Sequence, residues 1–212
     1  MSLSSRAFVV CVQVAVLCCA TACGPKRAPQ TVPTGGTEVG VYKARLEPAE
    51  GKPRRFRLLL FAMLPDRIHG EVVSPLGSTV LIFDGGGGQL SVTFVRDRIA
   101  FVGPADGAAL EAVLGLDLPL EELVRGLLLG ELADPRHRIA RTSSGGPGLP
   151  DALEITGERQ LLQLRLKKRQ PLRSSEAELG RGEPPPGMER RPLSELRLHD
   201  LPIGDGEAVA SE

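Results

Sequence analysis

The side chains from which catalysis is usually built are few in this chain, and their spacing does not bring them together. His69, His137 and His199 are scattered, each in or beside a strand-like run with charged neighbours. None belongs to an HExxH or other ligand-spaced pair, so all three are expected at the surface. Gly85 to Gly88 lies between two strand-like runs with no Gly-Lys-Ser/Thr after it, and is not a phosphate loop. There is no Gly-x-Ser-x-Gly elbow, and no two carboxylates are marked as a working acid–base pair. The expectation is a protein that is not an enzyme and takes no cofactor or metal.

Cysteine is the reactive residue with a pattern. All four (Cys11, Cys18, Cys19 and Cys23) lie in the first 23 residues, which excludes a disulfide framework or a cysteine metal site in the folded domain. Arg6 precedes an apolar run from Ala7 to Cys19, broken only by Gln13, and Ala20-Thr21-Ala22 then lead to Cys23. These are the n-region, h-region and small-residue cleavage site of a secretory signal. The run is about 13 residues, short of the about 20 that a spanning helix needs. Its small-small-Cys ending resembles the bacterial lipobox, whose cysteine becomes the first mature residue and carries acyl chains; Ala20 stands where leucine is preferred. The alternative is an ordinary cleaved signal with Cys23 beside the site by chance.

This reading divides the chain into a signal peptide (1–22), a lipidated terminus and flexible tether (23–38), one domain (39–204) and a disordered tail (205–212). The tether reading rests on Gly24 to Thr37, rich in Pro, Gly and Thr and without apolar periodicity. Two or more acyl chains make a stable anchor, each buried CH₂ contributing about 0.8 kcal/mol.

Lys+Arg and Asp+Glu both number 26, so there is no basic excess with which to bind nucleic acid. Aromatic residues are 3% with no Trp, so the core must be aliphatic and base or sugar stacking has little to work with. Hydrophobic residues at 42% and charged residues at 25% suit one globular domain, expected to be a monomer. Two basic runs, Lys52-Pro53-Arg54-Arg55 and Arg165 to Arg169, are either solvated strand ends or contacts for anionic head groups.

Strand-like runs fall near 39–47, 55–64, 67–73, 79–84, 89–95 and 98–102, with a glycine loop Asp84 to Gly88 joining two of them. Asp106 can cap a short helix carrying Leu110, Val113 and Leu114 and stopped by Gly115. The segment 118–130 is a second helix, with Pro119 in its first turn and Gly130 at its end. Its Leu120, Leu123, Val124, Leu127 and Leu128 form one apolar stripe. Further strands are expected near 137–142, 152–157, 160–168 and 194–200, and residues 170–192 form a loop excursion. In 160–168, leucines alternate with polar residues, so one face meets water. In 56–64 and 79–84 both faces are apolar: Leu58 and Leu60 oppose Leu59 and Phe61, and Leu81 and Phe83 oppose Val80 and Ile82. Such strands are either covered twice by packed core or face an apolar cavity.

The turn Ser74-Pro75-Leu76-Gly77-Ser78 is unusual in putting leucine at its apex. Pro75 suits the second position of a type I turn and Gly77 the left-handed position after it. An exposed leucine forgoes about 1.5–3 kcal/mol of burial, so it either finds an apolar partner elsewhere or folds back onto the sheet.

The order of lipobox, tether, antiparallel strands with the turn SPLGST, helices ending LGLDLPLEELVRGLLLG, and closing strands resembles the outer-membrane lipoprotein-insertion proteins of the LolB type. It covers most of residues 39–200; Pro75 to Thr79 and Leu114 to Gly130 are its most specific parts. The resemblance implies a mainly β fold with a helical insert: a strongly curved antiparallel sheet, an incomplete β-barrel, covered by two or three short helices. It implies an apolar cavity for acyl chains, for which Leu58, Leu60, Phe61, Val80, Ile82, Leu120, Leu123 and Leu127 are the candidate lining. It also implies receipt of lipoproteins from a periplasmic carrier and their insertion into the outer membrane. Pro75, Leu76 and Gly77 would then be the membrane-insertion turn, on a domain anchored through Cys23 and facing the periplasm. Gly24 lacks the aspartate with which enteric bacteria retain lipoproteins in the inner membrane. The chain departs from that family in its few aromatics. The alternative is an envelope lipoprotein of the same fold serving as an interaction or scaffold module, or carrying another lipid.

Overall fold

The computed structural model describes residues 38–49, 52–144, 148–172 and 179–196. The signal peptide, Cys23, the tether, His199 and the tail lie outside the described residues. Ten strands form the domain: β1 (Glu38–Pro48), β2 (Arg54–Met63), β3 (Arg67–Val73), β4 (Thr79–Gly86), β5 (Gln89–Phe94), β6 (Ile99–Pro104), β7 (Arg138–Thr142), β8 (Ala152–Thr156), β9 (Gln160–Pro171) and β10 (Glu189–Pro192). They build one sheet in the order β10-β6-β5-β4-β3-β2-β1-β9-β8-β7. Every neighbouring pair is antiparallel except β10 and β6, which run parallel.

The order dictates where the helices go. β1 to β6 follow one another as a meander, but β7 lies beyond β1, at the far side of the sheet from β6. The chain between them must therefore cross the sheet, and it carries α1 (Gly107–Leu114) and α2 (Leu120–Leu129) over one face. The sheet curls around these helices without closing, since its outermost strands, β10 and β7, are not paired to each other. The result is the expected mainly β fold with an open, curved sheet, covered by two α-helices among the described residues.

Local chemistry accounts for the helix ends. The Asp106 carboxylate accepts from the Ala109 amide at 2.9 Å and so caps α1. Gly115 and Gly130, at φ 71° and 77°, terminate α1 and α2 in the left-handed conformation that glycine adopts without strain. In α2 the whole predicted stripe, Leu120, Leu123, Val124, Leu127 and Leu128, is buried. It packs with Leu58 and Leu60 of β2, Ile68 and Val72 of β3, and Leu162 and Leu164 of β9 in one aliphatic core. Tyr42, the single tyrosine, is fully buried there and donates to the Pro150 carbonyl at 2.8 Å.

Three expectations need correction. The glycine loop is shorter than expected: β4 continues through Gly86, and only Gly87 and Gly88, both at positive φ, make the hairpin turn. Gly85 and Gly86 serve close approach instead. A Cβ on Gly85 would stand 2.6 Å from a Leu120 methyl, and one on Gly86 2.1 Å from the Gly180 carbonyl oxygen. The closing strand expected at 194–200 is absent from its described part, where Leu193–Glu195 is a 3-10 turn; residues 197–200 lie outside the described residues. A strand forms earlier, at Glu189–Pro192, inside the expected loop. All four of its residues are exposed, so no apolar alternation announced it. Its backbone pairs with β6, and Leu193 and Leu196 beyond it are buried in the core.

Candidate functional site

The turn between β3 and β4 closes through its own polar groups. Gly77 N–H donates to the Ser74 carbonyl at 3.0 Å, Ser74 N–H to the Ser78 carbonyl at 2.8 Å, and Ser78 N–H to Ser74 Oγ at 3.2 Å. Gly77 takes φ 89°, the left-handed position expected of it. Pro75 is exposed, and Leu76 between them is 96% exposed. Among the described residues it is the one large apolar side chain left in water. It does not fold back onto the sheet, and no bond that closes the turn depends on it.

Beneath the helices lies a cavity of about 40 Å³, lined entirely by apolar side chains of β1–β4, β9, α1 and α2. A cavity of this kind gives water no hydrogen-bonding partner and stays dry. It is well below the roughly 150 Å³ that admits a benzene-sized guest, so an acyl chain requires the helices to move off the sheet. Phe56 and Leu114 are the half-buried members of the lining, which puts the route to solvent beside them.

Of the predicted lining residues, Leu58, Leu60, Leu123 and Leu127 face this cavity. Phe61 and Ile82 do not, because strand parity turns them to the outer face of the sheet; Val80, the extra residue of a bulge between β3 and β4, packs half-buried against the core without lining the cavity. Leu120 is in the core but fills the space over Gly85. Ile68, Val72, Leu81, Phe83, Leu162 and Leu164 line the cavity instead, with others. Where both faces of a strand are apolar, apolar alternation alone does not say which one looks inward; the signal that could have decided it is charge, since Arg55 and Arg57 share the parity of Phe61, and Asp84 that of Ile82.

The outer face of β3 and β4 is built from polar groups. His69 Nδ1 donates to Asp84 Oδ2 at 2.7 Å, and its Nε2 lies 3.3 Å from Glu71 Oε1. Thr79 Oγ1 donates to the other Glu71 oxygen at 2.9 Å. Asp84 also accepts from the backbone N–H groups of Gly180 at 2.9 Å and Gly182 at 2.7 Å. The Arg67 guanidinium donates to the carbonyls of Leu179 and Gly180 while lying 5.9 Å over the Phe61 ring. Leu179 to Gly182, part of the expected loop excursion, is thus bound down onto the sheet. Phe61, on the outer face of β2, is 2% exposed. The doubly apolar strand is covered on its outer face at Phe61, while Leu59 stays half-buried and Arg57 exposed.

Burial works against a charge on His69, but the hydrogen bonds to Asp84 and Glu71 outweigh it and raise its pKa to about 9. The bond from His69 holds the Glu71 carboxyl below the usual carboxylate range. The surface expectation for the histidines therefore fails at two positions. His69 is buried between its carboxylates, and His137 is buried against Gly157, with Nδ1 3.6 Å from Asp134. Charged neighbours in sequence suggested exposure, but at β3 those neighbours are what make burial tolerable. Among the described residues no group of three or more His, Cys, Asp or Glu side chains could hold a metal ion.

No family model matches the chain, and no curated protein matches it. Among solved structures it is similar to a domain from Vibrio parahaemolyticus described as an outer membrane lipoprotein-sorting protein domain. The identity is 10% and the TM-score 0.37, over 68% of this chain and 89% of that one. A likeness of that degree carries no information about ligand or partner.

Proposed function

We propose that the chain is an outer-membrane lipoprotein, held by acyl chains on Cys23, that inserts Leu76 into the bilayer. In this reading it passes acyl chains between a periplasmic carrier and the membrane, and it is not an enzyme. The observation that carries the reading is Leu76 itself, exposed to 96% at the apex of a turn that is closed without it. Leaving it in water forgoes about 1.5–3 kcal/mol that a bilayer would return. The apolar interior supplies a place for acyl chains if the helices open. The transfer then consists of exchange between two apolar environments, with no covalent step.

A lipoprotein-insertion assay with Leu76→Glu tests this. The expected outcome is unchanged thermal stability, within about 0.5 kcal/mol as for other surface changes, together with loss of insertion. Insertion at the wild-type rate would remove the turn from the mechanism, and unfolding would assign Leu76 to packing.

A second reading, an envelope interaction or scaffold module, is favoured by the small volume of the cavity, about 40 Å³. Titration of the Cys23→Ala chain with a displaceable apolar dye separates the two. Saturable binding competed by fatty acid supports the carrier, and its absence supports the module.

A further inference from the structure

One residue of the second basic run, Arg165, meets two cations outside either run, Lys43 and Arg57, on the outer face of the sheet. β1 pairs with β2 so that Lys43 stands opposite Arg57, and with β9 so that Lys43 also stands opposite Arg165. Directly opposed residues project from the same face, so Arg57, Lys43 and Arg165 form a row across three strands. The row spans two strand spacings, about 10 Å. All three are exposed, and exposed Arg55 and Lys168 flank them on β2 and β9. Arg45, opposite Arg55, is held by Glu47 at 2.9 Å. None of the other five forms a hydrogen bond or ion pair with a carboxylate among the described residues. Like charges directly opposite one another destabilise a sheet, and no carboxylate among the described residues is paired with this row.

The row is continuous with the leucine turn. Arg57 stands opposite Val73 on its other side, and Ser74, the next residue, begins the turn that carries Leu76. Half-buried Leu59 and Val41, opposite one another, lie beside the row on the same face. An exposed leucine next to a line of uncompensated cations matches one surface in particular: an apolar layer bordered by phosphates.

We propose that Arg57, Lys43 and Arg165 bind the phosphates of anionic lipid head groups while Leu76 enters the acyl layer beside them. This inference rests on the reading of Leu76 as a membrane contact, and gives that membrane its chemistry.

The test is co-sedimentation of the full chain bearing Cys23→Ala with vesicles of phosphatidylcholine, with and without phosphatidylglycerol. Binding is expected to be stronger with phosphatidylglycerol and to weaken with salt. Replacing all three residues (Lys43→Gln, Arg57→Gln, Arg165→Gln) should lower that partition about a hundredfold, at about fivefold per cation. The melting temperature should be unchanged or raised. Leu76→Glu should weaken binding to both vesicle types. Equal partition into both compositions, or a triple variant that binds like the wild type, overturns the row while leaving a Leu76 effect intact. Loss in the triple variant with no effect of Leu76→Glu supports the row and refutes insertion of the turn. Binding to polyglutamate but to neither vesicle assigns the row to an acidic protein and overturns the proposal.

Discussion

At the residue scale, His69 joins β3 to β4 through Asp84, the carboxylate that also accepts from the backbone of Gly180 and Gly182. Its pKa of about 9 means that at neutral pH it is protonated and donates from both nitrogens, to Asp84 and to Glu71. Because the folded value lies above the unfolded one of about 6.5, the contribution is complete below pH 6.5 and is lost as pH rises through 9. Glu71, with its pKa lowered, contributes above the ordinary carboxylate range and loses that contribution as pH falls through its folded value. Thermal melts should therefore show stability declining from pH 6.5 to 9.5, by up to roughly 3 kcal/mol. The decline should be largely absent in His69→Gln, and a flat wild-type profile would show that the charge on His69 is not coupled to folding. Asp84→Asn, which weakens acceptance from Gly180 and Gly182, should make the chain near residue 180 an early site of limited proteolysis.

At the scale of elements, α2 separates a packed core from a usable cavity. Its leucines occupy most of the space between the helices and β2, β3 and β9, leaving about 40 Å³. Leu127→Ala should cost about 2–5 kcal/mol in denaturant titrations, as large-to-small core changes do. The same substitution enlarges a dry apolar void, so it should strengthen binding of a small apolar dye. A loss of stability without any gain in dye binding would mean that the core collapses around the truncation. The caps of α1 and α2, the stripe of α2 and most strand positions were legible in the sequence, because capping residues and periodicity act within a few residues. β10 was not, since four exposed residues paired through backbone alone leave no pattern.

For the whole molecule, the direction of β1 sets what the tether must do. Glu38, where the described domain begins, lies at one end of β1. The leucine turn stands about eight residues further along the sheet, level with Leu46 through the β1–β2 and β2–β3 registers. That is about 25–30 Å along the strand direction. Fifteen positions separate Cys23 from Glu38 and reach at most about 50 Å. In the proposed reading, the length of that stretch lets an anchor on Cys23 and a contact through Leu76 engage the same bilayer. Deleting eight tether residues leaves a reach of about 24 Å, and should abolish lipoprotein insertion while membrane fractionation still finds the protein attached. Insertion that survives the deletion would exclude simultaneous engagement.

The sequence alone determined the leucine at the turn, the lipobox-like cysteine, the two helices and the meander, because each is written in neighbouring residues. It also carried the leucines of the core, but marked the side of the sheet on which they lie only through the charges at Arg55 and Arg57: Phe61 and Ile82 look as apolar as Leu58 and Leu60. Only the tertiary structure decided that. Pairing register assigns each strand residue to a face, and the chain from Leu179 to Gly182 is bound to the outer side of β3 and β4, where it holds Arg67 beside Phe61. The same pairing brought His69 between two carboxylates and set Arg57, Lys43 and Arg165 side by side. Contacts between residues more than a hundred positions apart, such as Lys43 and Arg165, depend on register, and register is set by the whole sheet rather than by any one segment of it.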